Sequence, residues 1–189
     1  MHVPFKTPER DIYQLREELE LVGKTIEKIR YLRLKKELTE GVNPELNVDR
    51  EVLISRMEQL GFRRAIVDAL HELDRKLNEA GKPLDFKGCM DLARTLYEEL
   101  VEDAAKTSAA KVGRPAPSAG AGNFQPWNQL LMTAGVLTAD EEALSQKLYN
   151  FLSNVGAHQL GSALEHVRVA KAMIIELGML VLGRVQALK

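Results

Sequence analysis

The stretch Ala172 to Leu182 constrains this chain more than any other: eleven residues in which Glu176 alone carries a charge, leaving almost no polar face for a helix. A helix apolar on all sides must be surrounded by neighbours. At about half the roughly 20 residues that a membrane span needs, the stretch is too short to cross a bilayer, and it reads as a core helix. Extended over Ser162 to about Leu188, that helix belongs at the centre of a bundle or in an interface between two copies. Burying Glu176 without a partner is costly, so a cation should meet it, and Arg94, Arg184 or a second subunit could supply one.

The rest of the chain repeats the helical signature. No stretch keeps a period-two alternation of β-branched and aromatic residues, so the fold class is all-α: a helical bundle with a long central C-terminal helix and an extended N-terminal one. Thr7 and Pro8 make a helix entry, and Ile12, Leu15, Leu19, Val22, Ile26 and Ile29 then fall at spacings of three and four. This charged helix, residues 1–40, reads as an arm or coiled coil. Its cluster Arg30, Arg33, Lys35 and Lys36 is a candidate RNA contact.

Residues 41–106 form the first half of the bundle. A helix is expected from Asp49 to Leu60, ended by Gly61, another from Phe62 to Glu79, and a third capped by Asp85 and running toward Ala110. The Gly, Pro and Ala-rich stretch 107–123 reads as a flexible loop. Residues 124–189 complete the bundle, with a short segment from Phe124 to Gly135, a helix from Thr138 to about Asn154, and the long helix. Two capping boxes, Thr138 with Glu141 and Ser162 with Glu165, mark the starts of the last two helices.

With 189 residues, 45% of them hydrophobic, the chain can bury a core as one domain. Its 26 basic and 27 acidic residues leave a net charge of -1, so no global field favours nucleic acid and any RNA contact must be local. One cysteine and four histidines offer neither a disulfide nor a metal cluster, and no phosphate-cradling glycine loop is present. A reduced, cytosolic setting without cofactor or membrane anchor is the expectation.

Chemistry is sought first at His158, in the break Ser153-Asn154-Val155-Gly156-Ala157-His158 between the last two helices. An imidazole there can serve as general acid or base. Asn150 and Asn154, one turn apart, and Ser153 could hold a phosphate or orient the ring; they could equally cap the last carbonyls of the helix. Glu165, Arg168 and Lys171 add a carboxylate and two cations on the first turns of the next helix. Trp127 beside Phe124 and Pro126 reads either as a platform for a base or as an anchor fastening the loop to the core. Cys89 has no motif around it.

Residues 144–188, above all Leu152-Ser153-Asn154-Val155-Gly156-Ala157-His158 followed by a long apolar helix, resemble the HEPN superfamily of helical bundles common in bacterial defence and toxin systems. A phrase like Leu-Ser-Asn-x-Gly-Ala-His-x-Leu recurs in similar bacterial proteins. Many HEPN members are metal-independent ribonucleases whose motif pairs an arginine with a histidine five to seven positions on. By that likeness His158 would be the acid or base in a dimer groove. The chain departs from the motif, since those positions hold Phe151, Leu152 and Ser153. The resemblance therefore implies a dimeric interaction or regulatory module of a bacterial defence or stress system, acting on a partner protein or RNA. Its alternative is a ribonuclease in which His158 moves the proton, Asn154 or Ser153 orients phosphate and Arg168 stabilises the developing charge. A third reading is a coiled-coil scaffold built on the N-terminal helix. That scaffold predicts that deleting residues 1–40 changes the oligomer size, read by size exclusion with light scattering, while the remaining residues keep their thermal midpoint.

Overall fold

In the chain, helix-breaking residues and apolar stripes alternate, and the computed structural model turns each stripe into one helix of an all-α bundle. It describes residues 44–117, 124–157 and 164–188. The expected N-terminal helix with its Arg30, Arg33, Lys35 and Lys36 cluster lies outside the described residues, as do His158 and the Ser162 cap. Among the described residues there are six helices and no strand: α1 Pro44–Gln59, α2 Arg64–Glu79, α3 Pro83–Lys111, α4 Phe124–Thr133, α5 Ala139–Ala157 and α6 Leu164–Ala187.

Three of the helix ends are glycine stops. Gly61, Gly113 and Gly135 all have positive φ, a backbone region that a Cβ disfavours. After α4, for instance, Gly135 N–H bonds to Met132 O at 3.0 Å and Val136 N–H to Leu131 O at 2.9 Å, satisfying carbonyls the helix leaves open. The stop after α3 corrects one expectation. Helix extends through Lys111, as the expected run toward Ala110 has it, so Thr107 to Lys111 are not part of the loop: Ala109, Ala110 and Lys111 are good helix formers, and burial of Ser108 and Ala109 outweighs the weaker propensity of Thr107 and Ser108. Asp85 lies at the third helical position instead of the cap, its carboxylate accepting the N–H groups of Gly81 and Lys82 at 3.1 and 2.9 Å. Likewise α1 begins at Pro44, five residues before the expected Asp49, with proline in the position where its missing N–H costs nothing.

The helix with most neighbours is α3, which packs against α2, α4, α5 and α6. It buries Met90, Leu96, Tyr97, Leu100 and Val101 together with the small Ala93, Ala104, Ala105 and Ala109, which admit close approach on several sides. The long C-terminal helix α6 packs on α1, α3 and α5. It runs parallel to α3: Leu100 meets Gly178, and Lys111 Nζ donates to the carbonyls of Gln186 and Leu188. Its inward side is Val167, Ala170, Ile174, Ile175, Leu177, Gly178, Val181, Leu182 and Val185. The outward side corrects the expectation of a helix enclosed all round. Glu176 is exposed, so its carboxylate stays in water and needs no buried cation. Of the cations expected to meet it, Arg184 is bound to Glu141 and Arg94 lies beside Glu98.

Helices α5 and α6 form an antiparallel pair, fastened at one end by Arg184 with Glu141 and at the other by His166 edge-on to Phe151, ring centroids 6.1 Å apart. The first contact is built on the expected capping box. Thr138 Oγ1 accepts the N–H of Glu141, and the Glu141 carboxylate accepts the N–H of Thr138 at 2.8 Å while receiving both guanidinium Nη groups of Arg184. Arg184 first, then the Thr138 N–H, holds the Glu141 carboxyl down at about 2. In the unfolded chain a glutamate titrates near about 4.3. The folded value is the lower one, so this stabilisation is fully present above about pH 4.3 and is lost as pH falls toward 2. Partial exposure limits it to ~1 kcal/mol or less. Accordingly, the stability difference between the wild type and Arg184→Met, measured by urea unfolding, is expected to shrink as the pH is lowered through this range. A difference that does not change with pH would refute the assignment.

Candidate functional site

The end of the bundle where α5 gives way to α6 is where the sequence points. Helix α5 continues through Ala157, so Ser153 to Ala157 are helical and the break is shorter than expected. The reason is tertiary: Leu152 is fully buried, and its packing in the core carries the helix onward past Asn154. His158 lies outside the described residues.

Around that end, the expected site residues divide. Asn150 and Asn154 are both exposed, as their one-turn spacing implied, and Asn150 Oδ1 accepts a hydrogen bond from Gln146 Nε2 at 3.2 Å. Ser153 is partly exposed, but its Oγ is shielded from solvent. Glu165 and Arg168 are partly exposed on the first turns of α6, and among the described residues Arg168 enters no ion pair. Lys171 is not part of this group. It turns to α2 and forms an ion pair with Asp74, whose other oxygen accepts Arg50 Nε from α1 at 2.6 Å. Arg50 Nη2 also lies 2.6 Å from His71 Nδ1, which accepts a hydrogen bond from it, and Arg50 pairs with Glu51. This cluster knits α1, α2 and α6 together through ion pairs within the protein.

The aromatic candidates are anchors. Phe124 and Trp127 are buried; Phe124 stacks on Tyr149 with centroids 4.4 Å apart and planes 1° from parallel, and Lys106 Nζ lies 5.5 Å from the Trp127 ring centroid. A platform for a base needs an open ring face, and these rings have none. Behind them runs a buried polar chain. Tyr97 donates to Ser145 Oγ at 2.7 Å, Ser145 donates to Asn128 Oδ1 at 2.7 Å, and Asn128 Nδ2 donates to the backbone and side chain of Glu142. Burial pushes the Tyr97 hydroxyl far up, so it stays protonated and remains the donor that closes the chain. This network sets the register of α3, α4 and α5.

Beside Tyr149 the structure assembles a group that sequence reasoning did not join. The Tyr149 hydroxyl lies next to Glu98 of α3 and Ser153 of its own helix, within electrostatic reach of Arg94. Burial raises it first and the Glu98 carboxylate second, while Ser153 and Arg94 oppose them. Ser153 Oγ approaches Tyr149 without the geometry of a formed hydrogen bond, and Arg94 Nε, 4.0 Å from Glu98 Oε1, is shielded and has no acceptor. Gln146 Oε1 is shielded and unpartnered as well. In the sequence, Arg94 and Glu98 look like an ordinary i,i+4 surface pair. Only the contact with α5, about fifty residues on, gives them a role, and no local signal could have found it. His166 against Phe151 was missed for the same reason.

Elsewhere, a cleft of about 370 Å³ between α2 and α3 is lined by Arg75, Lys76, Glu79 and Asp85. Its charges are used internally, with Arg75 bound to Glu72 and Glu79 and Asp85 to the backbone. Burial raises the Cys89 thiol, which leaves it protonated and unreactive. Among the described residues no group of His, Cys, Asp and Glu is arranged to hold a metal ion, and no helix is long and apolar enough to cross a membrane. No family model matches the chain, and no curated protein or solved structure matches it either.

The placement of Lys171 has a measurable consequence. Asp74→Ala strands two cations whose side chains are only 12 and 16% exposed, and is expected to cost about 2 kcal/mol or more in equilibrium unfolding. Lys171→Met leaves Asp74 with Arg50 and is expected to cost less than ~1 kcal/mol. Equal losses would show that the two cations do not share the carboxylate.

Proposed function

We propose that this chain is a HEPN-like helical interaction module of a bacterial defence or stress system, which pairs with a second copy of itself through the outer side of α6. One observation carries the reading. Val169, Met173, Glu176 and Leu180 recur at spacings of four, three and four along one side of α6; Glu176 is exposed and the three apolar residues are partly exposed, Met173 and Leu180 covering the margin of the core with part of their surface and leaving the rest open. Such spacing is that of the seam of a two-helix coiled coil, in which apolar side chains interlock and a single polar residue within the seam, here Glu176, specifies register at a cost in stability. The apolar character of α6, greater than one buried side requires, is then accounted for by two contacts, one with the bundle and one with the partner copy.

A second reading, a metal-independent ribonuclease using His158, is favoured by the group that Arg94 and Glu98 of α3 form with Tyr149 of α5, the helix that precedes His158 in the chain. A carboxylate, a guanidinium and a phenol are groups able to move a proton from a ribose hydroxyl and to hold a phosphate.

One set of proteins tests both. Light scattering after size exclusion is expected to give a dimer for the wild type and half that mass for the Met173→Glu, Leu180→Glu double variant, with unchanged helicity. A monomeric wild type, or a variant that stays dimeric, would remove the pairing surface. Incubated with RNA in EDTA, the wild type is expected to leave it intact. Cleavage by wild type that is lost in His158→Ala would replace the module with the ribonuclease.

A further inference from the structure

We infer that His71 is a pH-sensitive latch on the first turns of α1: its neutral imidazole holds Arg50, and the imidazolium formed as pH falls releases it. None of the residues involved is among those proposed for pairing through α6.

A guanidinium can only donate, so the His71 Nδ1 atom, 2.6 Å from Arg50 Nη2, must offer its lone pair, and the ring proton sits on Nε2. A protonated ring has no acceptor and sets a second cation against Arg50. The charges joined to this contact are already balanced without it. Arg50 and Lys171 supply two positive charges, Glu51 and Asp74 two negative ones, and ion pairs connect the four. Other charged groups on the helices packed here are engaged elsewhere. On α2, Asp68 is bound to Arg64 and Arg75 to Glu72 and Glu79; the α3 carboxylates that meet α2, Asp103 and Asp85, are bound to Arg63 and to the backbone N–H groups of Gly81 and Lys82. Asp49, next to Arg50 in α1, makes no ion pair among the described residues. His71 itself is exposed, so water can deliver the proton.

What the latch holds follows from where the core of α1 begins. Among the described side chains of α1 the first in the core is Leu53; no residue from 48 to 52 is buried, and Val48 is 61% exposed. Little apolar burial fixes these turns, and Arg50 ties them to α2 through His71 and Asp74. Protonation also offers an exchange of partners. His71 and Asp74 are three residues apart on α2, a neighbouring spacing on a helix surface, so an imidazolium is drawn to the carboxylate that Arg50 occupies. Arg50 then loses one acceptor and competes for the other. The first turns loosen, while Leu53, Ile54 and Met57 keep the rest of α1 in the core. Histidine is the side chain whose charge changes between about pH 5 and 8, so the latch is closed at the upper end of that range and open at the lower.

The test follows amide hydrogen exchange in the full-length protein by nuclear magnetic resonance, each rate corrected for the intrinsic effect of pH. Between about pH 8 and about pH 5.5, protection of the amides of residues 48–52, relative to those of Leu100 and Val101 in α3, is expected to fall roughly three- to tenfold, the loss of one hydrogen bond. The imidazole nitrogen shifts of the same samples are expected to show His71 with a bare Nδ1 and a protonated Nε2 at the upper pH. His71→Gln, whose amide oxygen can accept from Arg50 at either pH, is expected to keep the high protection throughout. His71→Ala, which has no acceptor, is expected to show the low protection throughout. Both replacements are at an exposed position and are compatible with helix. The latch is overturned if the wild type shows no step, if the step survives in His71→Gln and so belongs to another group, or if His71→Ala is protected like the wild type at the upper pH.

Discussion

The described bundle depends on one constraint: α3 is flanked on four sides, and its small residues must let each neighbour come close. Ala93, Ala104, Ala105 and Ala109 supply the narrow places and Tyr97, Leu96 and Leu100 the bulk, so α2, α4, α5 and α6 interlock around a single axis. Close approach recurs where α1 meets α6. A Cβ at Gly178 would lie 2.9 Å from Leu53 Cδ1, and one at Gly183 would lie 2.8 Å from an Arg56 Nη, the same guanidinium nitrogen that donates to the Met179 carbonyl. These glycines are part of how the long C-terminal helix is received by its neighbour.

Apolar packing alone would tolerate a slipped or rotated helix, and polar pairs remove that freedom. Arg63 is bound through its backbone N–H and its Nε to Asp103, which is 8% exposed and costly to bury without such partners. The chain of Tyr97, Ser145, Asn128 and Glu142 does the same for α4 and α5, and the Arg50, Asp74 and Lys171 cluster for α1, α2 and α6. Each is internally complete. At the seam of α3 and α5, by contrast, Arg94 Nε, Gln146 Oε1 and Ser153 Oγ are shielded without a hydrogen bond among the described residues.

The functional candidates show where reading along the chain succeeds and where it stops. Asn150 and Asn154 lie on one exposed side because the helical period alone places them there. The same period groups Lys171 with Glu165 and Arg168, yet it belongs to Asp74, almost a hundred residues earlier, because each step of three residues drifts about 60° around α6 and two steps bring Lys171 to a different neighbour. Glu176 was read as a buried charge since its neighbours in sequence are apolar. Burial follows from neighbours in space, and among the described residues Glu176 is exposed.

What the sequence by itself determined is what local energetics govern: an all-α fold, the helix ends marked by Gly61, Gly113, Gly135 and the Thr138 and Glu141 capping box, and the apolar stripes that the described helices bury. These terms act within a turn or two of helix, so a linear reading captures them. Tertiary structure decided the rest. It made α3 the helix with most neighbours, extended α3 and α5 beyond the places where their sequences weaken, turned Lys171 and Arg184 into structural ion pairs, and brought Arg94 and Glu98 to Tyr149 and Ser153. Those outcomes depend on contacts between residues about forty or more positions apart, whose energies exceed local propensity and leave no periodic trace in the chain.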